Sequence, residues 1–143
     1  MSLDYNRREG ITPGETHVLL LLATSGMMLL AAARDLIIVF LGIELMSIAV
    51  YVLVGINRRT ERSAEGAIKY FLLGAFSTAF LLYGTALVYG ATGATNFVEI
   101  KANIVRFGLD HNGLLLVGIA FIINGIGLLA LSRSLHGLRQ AAA

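Results

Sequence analysis

The sequence contains no cysteine and only one proline among its 143 residues. The lack of cysteine excludes disulfide bonds, thiolate metal sites and cysteine-ligated iron–sulfur clusters. Charged residues make up 14% of the chain, against roughly 25% in ordinary soluble domains. Because 57% of the residues are hydrophobic, the composition indicates a membrane protein. The net charge of +2 is too small to favour nucleic-acid binding.

Four apolar runs are long enough to cross a bilayer, which takes about 20 helical residues. We therefore predict an all-α polytopic membrane protein with four transmembrane helices and a short interfacial amphipathic helix. The predicted spans are 17–33, 36–56, 67–89 and 114–131. Together they form one transmembrane domain, 17–131, between a polar cytoplasmic lead, 1–16, and a cytoplasmic tail, 132–143.

Local signals place the start of the first two helices. Thr12 with Glu15 fits a capping box, in which each side chain satisfies a free amide of the first turn. The Pro13–Gly14 pair predicts a turn just before the first span. Asp35 suits the N-terminus of the second helix, where the macrodipole favours an anion. These residues predict a tight connection between the first two spans.

Further signals frame the third span. Ser63 is expected to cap its N-terminus, and a glycine in the string 90–96 is expected to end it in a left-handed conformation. Between residues 97 and 112, apolar residues recur at intervals of three and four against charged ones. This spacing predicts a short amphipathic helix at the membrane interface.

The basic residues are unevenly distributed between the two sides of the predicted bundle. The side with both termini carries seven of them: Arg7, Arg8, Arg58, Arg59, Arg62, Arg133 and Arg139. The opposite side carries three: Arg34, Lys101 and Arg106. The positive-inside rule therefore predicts that both termini face the cytoplasm.

One carboxylate, Glu44, lies near the middle of the second span, which has no other charge from Leu36 to Ile56. A carboxylate at that depth costs about 3 kcal/mol on insertion scales. A structural interpretation is a protonated acid that donates a hydrogen bond to a carbonyl of a neighbouring helix. A functional interpretation is an acid that carries protons, and we favour it because ionisable groups inside membranes are usually functional.

Lys69 lies just inside the third span, and two interpretations of it stay open. Its side chain could extend to the cytoplasmic interface, or it could join Glu44 through a water-linked relay. At ~1.5 Å per residue Glu44 lies about 18 Å deep and Lys69 about 4 Å, so we expect no direct ion pair.

Small polar residues on the apolar helices usually mediate helix packing, and they could also hold waters between titrating groups. The set includes Ser47, Ser77, Thr78 and Asn124. Tyr51, Tyr70, Tyr83 and Tyr89 fall near span ends and are interpreted as interface anchors. The three histidines are dispersed and predict no metal or haem site.

Several segments resemble one known family. They are Leu-Gly-Ile-Glu-Leu-Met-Ser at 41–47, Glu-Gly-Ala-Ile-Lys-Tyr-Phe-Leu-Leu-Gly-Ala at 65–75, Leu-Tyr-Gly at 82–84 and Tyr-Gly-Ala-Thr-Gly at 89–93. These segments closely resemble subunit N of NADH:quinone oxidoreductase (respiratory complex I), a family related to Mrp-type cation/proton antiporter subunits. The resemblance is almost continuous over 19–96 and looser over 114–127.

This resemblance implies a proton-translocating, antiporter-like membrane subunit, of which the chain resembles the fourth to seventh helices. It places Glu44 on the family's essential glutamate and Lys69 on a lysine of the next helix, both on a proton path. The parent complex uses NAD and quinone, whereas this chain is expected to bind no cofactor and hold no redox centre. Its expected partners are the lipid bilayer, other membrane subunits of complex I and protons, in the bacterial cytoplasmic membrane.

The chain departs from the family pattern at the end of the fourth span. The family's central lysine falls on Leu129 and its helix-breaking proline on Ser134, whereas His136 is retained. We therefore expect the isolated chain not to pump protons, as for a truncated paralogue or a gene fragment. Two alternatives to a complex I proton-translocating subunit stay open: a non-catalytic paralogue with a structural or assembly role, and an Mrp-type cation/proton antiporter subunit.

Overall fold

The computed structural model of the chain describes residues 13–57, 60–108 and 113–141, with side chains for all of these except 13, 107 and 132–141. Within these ranges the chain forms five helices and no extended strand. They are α1 (Pro13–Ala31), α2 (Leu36–Val54), α3 (Glu61–Thr92), α4 (Phe97–Phe107) and α5 (Gly113–Ala141). The predicted all-α class is confirmed, and four of the helices are long and apolar enough to cross a membrane.

The first helix begins earlier than predicted. Pro13 is the first residue of α1, so the turn predicted at Pro13–Gly14 is wrong. Proline fits this position because it has no amide hydrogen to leave unbonded and its fixed φ matches the helix. Thr12, the predicted capping residue, lies outside the described residues. Asp35 caps α2 as expected, since its carboxylate accepts a hydrogen bond from the Ile37 amide at 2.8 Å.

The third helix also begins earlier than predicted, at Glu61. Ser63, the predicted N-cap, lies inside the first turn, so that prediction is wrong. Its hydroxyl instead donates to the carbonyl oxygen of Val54 at 2.7 Å. Val54 ends α2, where the last carbonyls lack partners within the helix. The serine therefore ties the end of α2 to the start of α3.

The predicted glycine stop is confirmed at Gly93, which has φ 70° and donates its amide hydrogen to the carbonyl of Tyr89 at 2.7 Å. The predicted amphipathic segment is helical as α4, capped by the side chain of Asn96. Residues 132–141, beyond the predicted fourth span, continue α5 as a helix. This segment has no proline and many good helix formers, so nothing in it stops the helix.

The helices pack largely in chain order. α1 packs against α2, α2 against α3, and α3 against α5, while α4 makes a smaller contact with α3. A small apolar core joins α2, α3 and α5 through Ile43, Leu81 and Leu129. Many large apolar side chains stay exposed, as expected where lipid or partner helices cover a surface.

Glycines allow the helix backbones to approach closely, as is common in membrane bundles. Between α1 and α2, a methyl group at Gly26 would lie 2.7 Å from the amide nitrogen of Met46. Between α3 and α5, a methyl group at Gly125 would lie 2.8 Å from the amide nitrogen of Leu81 and 2.9 Å from the carbonyl oxygen of Ser77. A side chain at either glycine would push two backbones apart.

The α3–α5 contact gives a first testable expectation. Gly125→Ala should lower the free energy of unfolding by about 1–3 kcal/mol, since overpacking forces backbone shifts. Gly127→Ala is the matched control, because a methyl group at Gly127 of the same helix would meet nothing within 4 Å. Thermal unfolding of both variants in detergent measures the difference. Equal stability of the two variants would contradict the close packing at Gly125.

Candidate functional site

Glu44 lies in the middle of a transmembrane helix. It is the ninth of the 19 residues of α2, about 12 Å from the first residue and about 15 Å from the last at 1.5 Å per residue. Its side chain is half-buried, and its Oε1 atom is buried without a hydrogen-bond partner among the described residues. A buried acceptor without a partner costs about 1–3 kcal/mol.

Ser47 provides a second unsatisfied group close to the first. It follows Glu44 by three residues, so both lie on neighbouring parts of one helix face. The serine is only 1% exposed, and its Oγ atom also has no hydrogen-bond partner among the described residues. These two side chains are the only ones with such atoms in the described part of the chain. The structure therefore places a carboxyl group and an unbonded hydroxyl within one helical turn.

The other predicted polar residues are bonded within their own helices. The hydroxyl of Ser77 donates to the carbonyl of Leu73 at 2.9 Å, and that of Thr78 to the carbonyl of Gly74 at 3.2 Å. The amide of Asn124 donates to the carbonyl of Ala120 at 3.1 Å. Such bonds to the carbonyl four residues earlier are the usual fate of small polar groups on helices. They leave Ser47 as the predicted support residue with an uncommitted hydroxyl.

The packing of α2 on α3 fixes what lies beside this pair. Tyr51 lies against Gly74, where a methyl group would overlap the tyrosine ring. Ile43 shares an apolar cluster with Leu81 of α3. Along α2, Ser47 lies midway between Ile43 and Tyr51. Along α3, Thr78 lies about midway between Gly74 and Leu81, the residues at the levels of Tyr51 and Ile43. By this residue count, the pair on α2 lies at about the same level of the bundle as Thr78 on α3.

The position of Tyr51 differs from the one predicted from the sequence. We predicted an interface anchor, but the ring is half-buried between α2 and α3. Its centroid lies 6.1 Å from that of Phe71, edge to face, and 6.5 Å from that of Tyr70. Tyr51 follows Ser47 by four residues, so both lie on one face of α2. This spacing is the signal that could have indicated that Tyr51 packs against Gly74 of α3.

Lys69 lies apart from Glu44. Its ammonium group forms an ion pair with Glu65 one turn earlier on α3, and the two side chains are 67% and 63% exposed. Taking the Tyr51–Gly74 contact as the common level, Lys69 and Glu44 lie on opposite sides of it, about 18 Å apart along the helices. The structure does not bring the two predicted proton-path residues together, and the water-linked relay between them stays a prediction.

Leu129 occupies the position where the family resemblance places a lysine. Its side chain is 9% exposed and belongs to the apolar cluster that also contains Ile43 and Leu81. Position 129 therefore lies in the small core where α2, α3 and α5 meet. The side chain of His136, the remaining predicted support residue, lies outside the described residues, as do Arg7, Arg8, Arg58 and Arg59 and the side chains of Arg133 and Arg139.

Within the described residues, no group of three histidine or carboxylate side chains could hold a metal ion. The two side chains with unsatisfied atoms offer the following chemistry. A carboxyl group can take up and release a proton. A hydroxyl without a fixed partner can either donate to a carboxylate or accept from a carboxylic acid. Ser47 Oγ and Glu44 Oε1 are not bonded to each other in the structure, so a link between them requires rotation of the side chains or a bridging water.

Comparison with known proteins identifies the family. Residues 33–132 match the family described as NADH:quinone oxidoreductase/Mrp antiporter, TM. NADH-quinone oxidoreductase subunit N of Trichlorobacter lovleyi is 50% identical over 125 residues, which cover 87% of this chain and 26% of that protein. Subunit N of Gemmatimonas aurantiaca is 53% identical over 127 residues, 85% of this chain and 24% of that protein.

A solved structure shows the same arrangement of helices. It is respiratory complex I from Thermus thermophilus with bound aureothin, in which one chain matches with a TM-score of 0.65 and 35% identity. The match covers 79% of this chain and 24% of that one. The chain thus spans about a quarter of the length of the curated relatives it matches. It is a multi-pass membrane protein and belongs to the NADH:quinone oxidoreductase/Mrp antiporter transmembrane family.

Proposed function

We propose that this chain acts in a membrane subunit of NADH:quinone oxidoreductase and contributes to proton translocation coupled to quinone reduction. The observation that carries this proposal is the pair of Glu44 and Ser47 in the middle of α2, each with a buried polar atom that has no partner among the described residues. The relatives reported above are called subunit N of NADH-quinone oxidoreductase. Their names support complex I over an Mrp-type antiporter as the parent assembly.

The proposed chemistry is transfer of a proton at one carboxyl group. A carboxylate oxygen of Glu44 accepts a proton from a hydronium ion, so one O–H bond forms on Glu44 as one breaks in the donor. The carboxyl group later releases the proton to a water molecule, which becomes hydronium. Ser47 donates its hydroxyl hydrogen to the carboxylate form and accepts from the acid form, so it stabilises both states. A water in contact with both groups would satisfy their free atoms and extend the path.

The proton path requires the partner subunits of the complex. The site lacks a nearby cation in the described residues, because the candidate position holds Leu129 and Lys69 pairs with Glu65. We propose that other membrane subunits and the lipid bilayer complete the path, and that the chain alone does not pump. The chain itself binds no cofactor and carries no redox centre, so NAD and quinone react on partner subunits.

We further propose that the chain lies in the bacterial cytoplasmic membrane with both termini on the cytoplasmic side. The support is the excess of arginine on that side of the predicted bundle. With this orientation Lys69 and Glu65 lie toward the cytoplasm and the α1–α2 turn lies toward the opposite face. Glu44 then stands near the centre of the bilayer, where a proton path must cross the apolar core.

The test of this function uses inverted membrane vesicles from cells that carry or lack the chain. NADH is added in sodium-free buffer, and proton uptake is followed with a pH-sensitive dye alongside NADH oxidation. We expect the ratio of protons moved to NADH oxidised to fall without the chain and to recover when it is restored. An unchanged ratio would favour a structural role for the chain. Proton movement that appears only when sodium is added to the buffer would favour an Mrp-type antiporter.

Ser47→Ala tests the hydroxyl. We expect it to slow the proton flux that depends on this chain by about tenfold, the equivalent of one hydrogen bond to a charged group. Ser47→Thr, which keeps a hydroxyl, should restore most of the flux. Ser77→Ala is the matched control, since its buried hydroxyl is already bonded to its own helix. If both alanine variants slow the flux equally, the effect comes from packing and Ser47 has no special role.

A further inference from the structure

The two turns at the α1–α2 end of the bundle are joined by backbone hydrogen bonds. The amide of Leu36 donates to the carbonyl of Thr95 at 3.0 Å, and the amide of Phe97 donates to the carbonyl of Arg34 at 3.1 Å. These reciprocal bonds make an isolated antiparallel bridge between Asp35 and Asn96. A segment before α2 is therefore fixed to the segment between α3 and α4, 60 residues later in the chain.

A side-chain bond reinforces this bridge. The hydroxyl of Thr95 donates to one carboxylate oxygen of Asp35 at 2.7 Å, while the other carboxylate oxygen accepts from the Ile37 amide at 2.8 Å and caps α2. Asp35 thus uses one oxygen for its own helix and the other for the end of α3. We call the bridge and this side-chain bond the Asp35–Thr95 clamp.

The clamp controls the position of α2 along α3. α2 is a continuous helix, so a shift at Asp35 moves every residue that follows it. Glu44 lies nine residues beyond the clamp, about 13 Å along the helix, and Ser47 lies three residues further. The opposite end of α2 is tied to α3 by Ser63 and Val54. One end of the helix that carries the polar pair is therefore tied to α3, and the other end to the segment that follows α3.

We propose that Asp35 and Thr95 are positioning residues, which set the register of α2 on α3 and so hold Glu44 and Ser47 at the level of Thr78. This inference rests on the proposed proton-path function for its consequence in activity, but the register itself is measured independently. Neither residue touches the transferred proton. Their role is to keep the carboxyl group and hydroxyl at the level where a path through the bundle can continue.

A crosslinking experiment measures the register. The chain has no natural cysteine, so Ile43→Cys with Leu81→Cys, two positions of one core cluster, reports whether α2 and α3 keep their alignment. In membranes carrying the full chain, a short thiol crosslinker should join the pair readily. Adding Thr95→Val should slow crosslinking by about tenfold, the equivalent of the lost bond to a carboxylate. Thr95→Ser should restore it.

Two further variants separate the clamp from a general loss of stability. Thr92→Val removes a buried hydroxyl that donates to the carbonyls of Val88 in α3 and Ala94 in the turn after α3. The hydroxyl does not bond to α2, so crosslinking should not change. Asp35→Asn keeps an oxygen to cap Ile37 and offers Thr95 an amide donor in place of the carboxylate acceptor, so it should slow crosslinking less than Thr95→Val while α2 stays helical by circular dichroism. Equal crosslinking in Thr95→Val and the parent would overturn the inference.

The activity arm uses the same vesicles and the ratio of protons moved to NADH oxidised, in the chain without added cysteines. Thr95→Val should lower this ratio severalfold and Thr95→Ser should restore it, while the rate of NADH oxidation is unchanged. The positioning role would be overturned if Thr95→Val slows crosslinking but leaves the ratio of protons moved to NADH oxidised unchanged, in an assay where Glu44→Gln lowers that ratio. If Glu44→Gln has no effect, the proposed function fails, whereas the register result still decides the clamp.

Discussion

Replacing Glu44 by glutamine is expected to abolish the proton flux that depends on this chain. Glutamine keeps the size and hydrogen-bonding capacity of the side chain but cannot take up or release a proton. A positioned proton-transferring group contributes about 100-fold or more to the rate of transfer. We therefore expect at least that loss in dye-monitored proton uptake, at an unchanged level of protein in the membrane.

Two variants make the Glu44 result specific. Glu44→Asp keeps the acid but shortens its reach, so it should retain part of the flux. Glu99→Gln is the control carboxylate, because Glu99 is exposed on α4, outside the four spanning helices, and its removal should leave the flux unchanged. Normal proton uptake by Glu44→Gln would show that the buried carboxyl group serves only helix packing.

The acid itself could be found from the sequence, because its signal is local. A single carboxylate in an otherwise apolar run of spanning length is visible without any knowledge of neighbours. The number and type of helices were predictable for the same reason, since hydropathy over about 20 residues decides membrane insertion. Helix ends were less predictable. Pro13 can begin a helix or stop one, and Ser63 satisfied a carbonyl of the preceding helix instead of its own amides.

The functional difference between the small polar residues could not be predicted from the sequence. Ser47 and Ser77 are both serines in apolar helices, yet only Ser77 donates to a carbonyl of its own helix. Which of them has a free hydroxyl depends on tertiary packing and side-chain rotamer. Only the Asp35 part of the Asp35–Thr95 clamp could be predicted from the sequence. Asp35 carries a helix-cap signal, whereas its bond to Thr95 joins residues 60 positions apart and leaves no local pattern.

The Leu129→Lys variant is expected to stay stably folded only when Glu44 is present to pair with the lysine. Leu129→Lys places an ammonium group in the apolar cluster that also contains Ile43, the residue before Glu44, and the experiment tests whether the lysine reaches the carboxyl group. An unpaired charge inside a membrane bundle costs about 3 kcal/mol, a large part of a total stability of about 5–15 kcal/mol. With Glu44 available as a partner, an ion pair offsets much of this cost.

A double-mutant cycle measures that pairing. The cycle compares the parent, Leu129→Lys, Glu44→Gln and the double variant by thermal unfolding in detergent, with Leu129→Met as the control for lost packing. We expect the double variant to be less stable than the sum of the single changes by about 2 kcal/mol, since contacting residues couple by 0.5–3 kcal/mol. Additive effects would mean that position 129 does not face the acid. A gain of proton conductance in liposomes on adding Leu129→Lys alone would further show that a missing cation is what keeps this site from conducting by itself.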